Sequence, residues 1–256
     1  MPIIFFQQPH RRADGCRGDE GRCGRIPHQP RWRHCRRPAL KRSLVGGVRQ
    51  RRPQVRRGAL GDDEFTAGVR AFVEPLVGAG WVNALSQVLL ELTAPGVPDI
   101  YQGSELWSLH LVDPDNRRPV DYELRRRALR EVQALCAEQI WQRADEGLPK
   151  LWMIHQALGL RKRRPELFDL GSSYDAISAC GERASHVVAF GRGGGSMTVV
   201  PRLVLGLAAD WRDTAIALPS GQWQNVLTGD DAAGRMRMSD LLSRFPVALL
   251  ERRGAA

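Results

Sequence analysis

The sequence predicts a mixed α and β chain in which α/β structure is followed by an antiparallel β-sandwich. Two observations carry that prediction. Between Trp81 and Leu135, two stripes of helical period flank a short apolar run, Val97–Tyr101, which has the length and character of a buried parallel strand. Beyond Gly171 the texture changes to short candidate strands separated by Gly, Pro, Asn and Asp, the spacing of paired antiparallel sheets.

Charge locates where this organisation begins. The 256 residues carry a net charge of +10, enough chain for one or two domains with a substantial core. Residues 1–60 hold 16 Lys and Arg against 3 Asp and Glu, a net of +13, whereas the remainder is net −3. Three readings of that first segment stand side by side. It could be a disordered basic arm that neutralises phosphates. It could hold zinc through Cys16, Cys23, His28, His34 and Cys35, although their spacing fits no paired Cys-x-x-Cys and His-x-x-x-His pattern. Its Arg, Gly and Pro bias is also what an out-of-frame reading of a GC-rich gene yields, and this is the reading favoured. A nucleic-acid partner is therefore disfavoured. No run of eighteen apolar residues suggests a membrane span, and the start lacks the pattern of a secretory signal. Five scattered cysteines suit a reducing cytoplasm better than a disulfide framework.

From Asp62 the elements follow in order. Phe65, Val69, Phe72, Val73 and Leu76 make a helical stripe behind Asp62 and Asp63 as capping residues, and the expectation is an amphipathic helix packed on a core. A second stripe, Trp81, Leu85, Val88, Leu89 and Leu92, has Asn83, Gln87 and Glu91 opposite it and stops at Thr93–Gly96. After Val97–Tyr101, residues 102–120 intervene before the next helical pattern at Leu124, Ala128, Leu129, Val132 and Leu135. Leu151, Ile154, His155 and Leu158 share a face of a further helix that ends in Arg161–Arg164, expected as a solvated helix end rather than a nucleic-acid patch. Strands are expected at 186–191, 196–201, 214–219, 222–227 and 245–252. Trp211 and Trp223 could form aromatic platforms, but core positions suit them better.

The segment 102–120 is the candidate site. Ordinary strand-to-helix loops run to roughly 2–6 residues, so one this long points to function. In α/β barrels such loops form the ligand-binding face. It is also rich in groups suited to sugar: Tyr101, Gln102, Glu105, Trp107, Asp113, Asp115, Asn116, Arg117 and Arg118. Salt bridges and caps among Asp113, Asp115, Arg117, Arg118 and Asp121 would serve shape alone.

The string GVPDIYQGSELWSLHLVDPDNRRPVDY, at 96–122, resembles the segment that closes the catalytic barrel of the maltooligosyl trehalose synthases, a branch of the α-amylase superfamily. The looser superfamily pattern falls on Gly96, Pro98, Tyr101, Gly103 and Glu105, and DPDNRRPVDY narrows it to the trehalose-forming branch. The resemblance extends from about Asp62 to Arg253. It implies the last unit or units of a (β/α)8 barrel at 61–147, then a linking helix and β-sandwich at 148–256, with 1–60 unrelated. It implies an isomerase that turns the reducing-end α-1,4 bond of a maltooligosaccharide into an α,α-1,1 bond. Retaining chemistry of this kind needs two carboxyl groups about 5 Å apart. The family's acids belong to motifs that would precede Asp62, so no catalytic residue, cofactor or metal is assigned to this chain. Tyr101, Gln102, Glu105, Trp107, Asp113, Asn116, Arg117 and Arg118 are the expected substrate contacts, and Glu105 as an acid catalyst is the sharpest alternative. The expectation is an inactive C-terminal fragment with uncovered edges, prone to association. A noncatalytic α-glucan-binding module and a basic nucleic-acid-binding protein are the other two readings.

Overall fold

The computed structural model describes residues 57–109 and 119–254. The readings of the basic segment up to residue 56, and those of Asp113, Asp115, Asn116, Arg117 and Arg118, lie outside the described residues. Ala59–Ala256 forms one compact unit.

The two expected stripes before Thr93 belong to one helix, α1 (Asp63–Thr93), which runs through Pro75. Its start is capped as expected: the Asp62 side chain accepts from the Phe65 amide at 3.0 Å, and Asp63 and Glu64 sit where the helix dipole favours negative charge. Leu85, Leu89 and Leu92 are buried, and Asn83, Gln87 and Glu91 face outward, so the second stripe holds. The first stripe does not pack on a core. Phe72 is 73% exposed and Phe65 52%, and Val69, Val73, Leu76 and Val77 are exposed with them. Full burial of each such side chain would be worth about 1.5–3 kcal/mol, of which Phe72, at 73% exposed, realises little.

Val97–Tyr101 forms no strand, and Val97 is 94% exposed. The physical reason is the lack of a ladder. A parallel strand needs a neighbour to satisfy its amides, and no described strand lies beside this segment. Helix α2 (Tyr122–Val132) follows, capped by Asp121, whose carboxylate accepts from the Leu124 amide at 2.8 Å. Then come α3 (Ala137–Gln142) and α4 (Leu148–Arg163). Of the face expected on α4 only Leu151 is buried; Leu148, Pro149, Lys150, Met153, Ala157 and Leu160 are buried beside it, and Leu158 is exposed. Because α4 packs against α1, α2 and α3 at once, its buried residues spread round its circumference and blur the period.

The remaining chain is antiparallel β. Strands β1 (Tyr174–Ala176), β3 (Val187–Arg192), β4 (Ser196–Pro201), β9 (Ala248–Arg252), β6 (Trp223–Asn225) and β7 (Asp231–Ala232) make a six-stranded sheet in the order β1-β3-β4-β9-β6-β7. A three-stranded sheet has the order β2-β5-β8, from Ala179–Cys180, Ala215–Ala217 and Arg235–Arg237. Short helices α5 (Val204–Leu207) and α6 (Met238–Leu241) fill the connections. Residues alternate across β4 and β9. Val200 and Leu249 join Leu85, Leu89 and Leu160 in one core, whereas Met197, Val199, Ala248 and Leu250 join Ile216 and Trp223 in the other. Helices thus cover one face of the large sheet and the small sheet lies toward the other, which is why every residue of β4 is buried.

A polar seam crosses the helix–sheet core. Thr198 Oγ1 donates to Thr93 Oγ1 at 2.9 Å, and Thr93 Oγ1 donates to the Leu89 carbonyl at 2.6 Å. Arg192, only 2% exposed, donates to the carbonyls of Thr93, Asp169 and Ser173 at 3.3, 3.1 and 3.2 Å. A buried guanidinium is tolerable only with such partners. Arg161–Arg164 is likewise not a free charged end. Arg161 donates to the Leu92 carbonyl at 2.7 Å, and Arg163 and Arg164 both pair with Glu251.

Candidate functional site

The loop after α1 is folded back on the helices by one arginine and two tryptophans. Arg125, on α2, donates from Nε to Glu105 Oε2 at 2.8 Å and from its two terminal nitrogens to the carbonyls of Gly103 and Asp121 at 2.5 and 3.1 Å. The fork geometry of guanidinium suits three acceptors spread over two chain segments, where an ammonium would not. Gly103 has φ +80°, and a Cβ there would lie 2.8 Å from Val120 Cγ2. The glycine of the Tyr-x-Gly-x-Glu pattern is therefore required on two counts, the left-handed backbone and the approach of Val120. The glutamate is the ion-pair partner that fixes the turn.

Trp107 packs inward. Its ring stacks on Trp81 of α1 at 6.3 Å and 6°, its Nε1 donates to the Ala144 carbonyl, and Lys150 Nζ stands 5.9 Å from its ring centre. Lys150 also donates to the Leu106 carbonyl at 3.3 Å. Burial lowers the pKa of Lys150 from its ordinary value, with Glu105 and Glu91 opposing the shift. Glu91 moves upward through partial burial and its neighbour Asp99, with Lys150 opposing. Alternating signs, Glu91, Lys150, Glu105 and Arg125, thus run beneath the loop.

The sequence-predicted residues accordingly separate. Glu105 and Trp107 are half-buried and engaged with Arg125, Trp81, Lys150 and Ala144. Tyr101 is half exposed, and Gln102 lies at the surface, where its Oε1 accepts from the Tyr122 hydroxyl at 3.2 Å. Asp121 does the capping work that a shape-holding loop needs. Sequence reasoning missed Arg125 and Lys150. The signal for Lys150 was present, a lone charge within the apolar run LPKLWM; Arg125 is hidden among Arg125–Arg127. Glu105 is committed to the ion pair with Arg125, and among the described residues no second carboxylate is paired with it.

Elsewhere, a groove of about 220 Å³ is lined by Val82, Trp141, Leu207, Trp211, Arg244 and Phe245, among others. Arg244 is pinned by Glu138 and by Asp230 at 2.5 Å. That contact with Arg244 holds the Glu138 carboxyl down at about 2. Around the groove Leu203, Ala208, Ala209 and Arg212 adopt positive φ. Trp223 is a core residue, with Nε1 bonded to the Pro219 carbonyl at 2.9 Å, and His155 meets Gln133 at 3.4 Å. Among the described residues no cluster of His, Cys, Asp and Glu is arranged to hold a metal, and no helix is long and apolar enough to cross a membrane.

The maltooligosyl trehalose synthase of two strains of Mycobacterium tuberculosis is 45% identical over 174 residues, 68% of this chain. The maltooligosyltrehalose synthase structure from Arthrobacter ramosus superposes with a TM-score of 0.63 at 38% identity over 74% of the chain, and a point mutant of it with 0.69 over 76%. The matched stretch belongs to the maltooligosyl trehalose synthases. No family model matches the chain. It spans only 21% of the length of the M. tuberculosis relatives and 25% of the A. ramosus mutant chain. The recognisable synthase segment and the mixed α/β architecture with antiparallel sheets therefore agree with these relatives.

Proposed function

We propose that this chain carries the C-terminal part of a maltooligosyl trehalose synthase. On this reading 61–147 is the tail of a (β/α)8 barrel and 148–256 a linking helix with a β-sandwich domain, and 1–60 is a separate basic segment. The loop from Tyr101 to Arg118 faces an α-glucan in the cytoplasm. The observation that carries the reading is the anchoring of this loop. Glu105 and Trp107 are spent on Arg125, Trp81 and Lys150, and that rigid base leaves Tyr101 and Gln102 outward for a pyranose. Asp113, Asn116, Arg117 and Arg118 would complete the contact. The loop orients sugar and contributes no reacting carboxylate, so the chain by itself does not convert an α-1,4 bond into an α,α-1,1 bond. Maltopentaose incubated with the full chain should keep its reducing ends; loss of reducing ends with a nonreducing product would overturn the proposal.

One observation favours a second reading, a module that binds α-glucan without turnover. The groove at Trp141, Trp211 and Arg244 offers aromatic faces and a fixed hydrogen-bond donor, the combination that grips sugar rings. Retardation on amylose that disappears in Trp211→Ala but survives Tyr101→Ala would favour the groove over the loop.

A further inference from the structure

We propose that the exposed apolar face on the first half of α1 is the docking surface for the portion of a maltooligosyl trehalose synthase that this chain lacks. The inference rests on the family reading but concerns a surface that the reading does not assign. Phe65, Val69, Phe72, Val73 and Leu76 recur at helical spacing, and all five are exposed. Arg70 and Glu74 lie between them, and the stripe itself carries no charge, so its occupant is apolar.

Continuity of the helix identifies that occupant. The second half of α1 is buried against α4 and β4, within the region shared with the relatives. The first half is the same uninterrupted helix, so its face is fixed in position by a packed element. A loose tail could collapse elsewhere; this face cannot. About three quarters of the A. ramosus mutant chain lies outside the matched stretch, which supplies a covering layer of the necessary size. Ridges at i, i+4, i+7 and i+11 are the form in which one helix seats in the grooves of its neighbours.

The test uses the intact 256-residue chain, co-produced with A. ramosus synthase from which the matched segment is deleted, and reads mass by light scattering after gel filtration. A one-to-one complex is expected. Phe72→Asp with Val73→Asp should weaken it about 100-fold, as removal of central anchors does, and leave the chain's own thermal transition in place. A complex indifferent to the double substitution would overturn the proposal. So would a homodimer that the substitutions split, since a second copy would then be the occupant. Hydrogen exchange guards against a deleted partner that does not fold. In this chain alone, amides in the first half of α1 should exchange about 100-fold faster than those at Leu85–Leu92, whereas the aligned helix of intact A. ramosus synthase should be protected along both halves. Equal protection in this chain, or fast exchange in the intact enzyme, would also refute it. A complex that forms but does not rearrange maltopentaose leaves the docking surface standing and counts against the activity reading instead.

Discussion

The two halves of α1 carry the same kind of sequence and meet opposite environments. Before Gly80, aromatic and β-branched residues recur at helical spacing and face solvent; after it, Leu85, Leu89 and Leu92 recur at the same spacing and are fully buried. Periodicity therefore established helix in both places and a partner in neither. What separates the halves is what lies opposite. The second half meets β4, whose Thr198 and Val200 point toward it, and α4, whose Ala157 and Leu160 close the core. The first half has no described counterpart. A stripe records what a helix needs, and the partner has to be found elsewhere in the sequence.

The most direct way to break this contrast is to truncate one side chain in each half. Leu89→Ala should lower stability by about 2–5 kcal/mol, because the close-packed core cannot collapse fully into the space left behind. Phe72→Ala should change stability by no more than about 0.5 kcal/mol, the usual range for surface substitutions. Urea unfolding of the two variants decides it. A cost above about 2 kcal/mol for Phe72→Ala would mean that the first half is covered after all.

The same logic separates what was legible in the sequence from what was not. Strands β3, β4 and β9 were visible because they are apolar on both faces, and β4 occupies the expected residues 196–201 without a shift. Strands β1, β2, β7 and β8 were not, since two or three residues are too few to display a period. Val97–Tyr101 reads as a strand for sound local reasons, yet lacks the neighbour that would make it one. The segment Gly96–Tyr122 was recognisable through Gly103 and Glu105, whose roles depend on sharp backbone geometry. Arg125 and Lys150, which hold the loop down, were opaque because their importance lies in contacts twenty or more residues distant.

Glycines sharpen the contrast further. Gly103→Ala should cost about 1–3 kcal/mol, since it adds a Cβ at φ +80° and presses it on Val120. Gly78→Ala, in the exposed half of α1, has nothing within 4 Å and an ordinary helical backbone, so it should stabilise by up to about 1 kcal/mol. Thermal melts of opposite sign are expected. Destabilisation by Gly78→Ala would show that the exposed face is already occupied.

The smallest effect probes the boundary itself, where Trp81 begins the buried half and stacks on Trp107, with Lys150 over the Trp107 ring. Lys150→Met keeps the stem that packs on Trp107 but removes the donor to the Leu106 carbonyl, a net loss of about 1 kcal/mol near neutral pH. Its pH dependence is more telling than its size. Burial places the folded-state pKa of Lys150 below its ordinary 10.5. Between those two values the unfolded chain binds a proton that the folded chain does not, so the native protein gains stability as pH rises through that window. Met at 150 has no such gain. The deficit of Lys150→Met should therefore widen as pH approaches 10.5, in urea titrations run side by side. A deficit that narrows instead would mean that the lysine is held charged by Glu91 and Glu105 more strongly than burial opposes it, and the loop would then be anchored by charge rather than by packing.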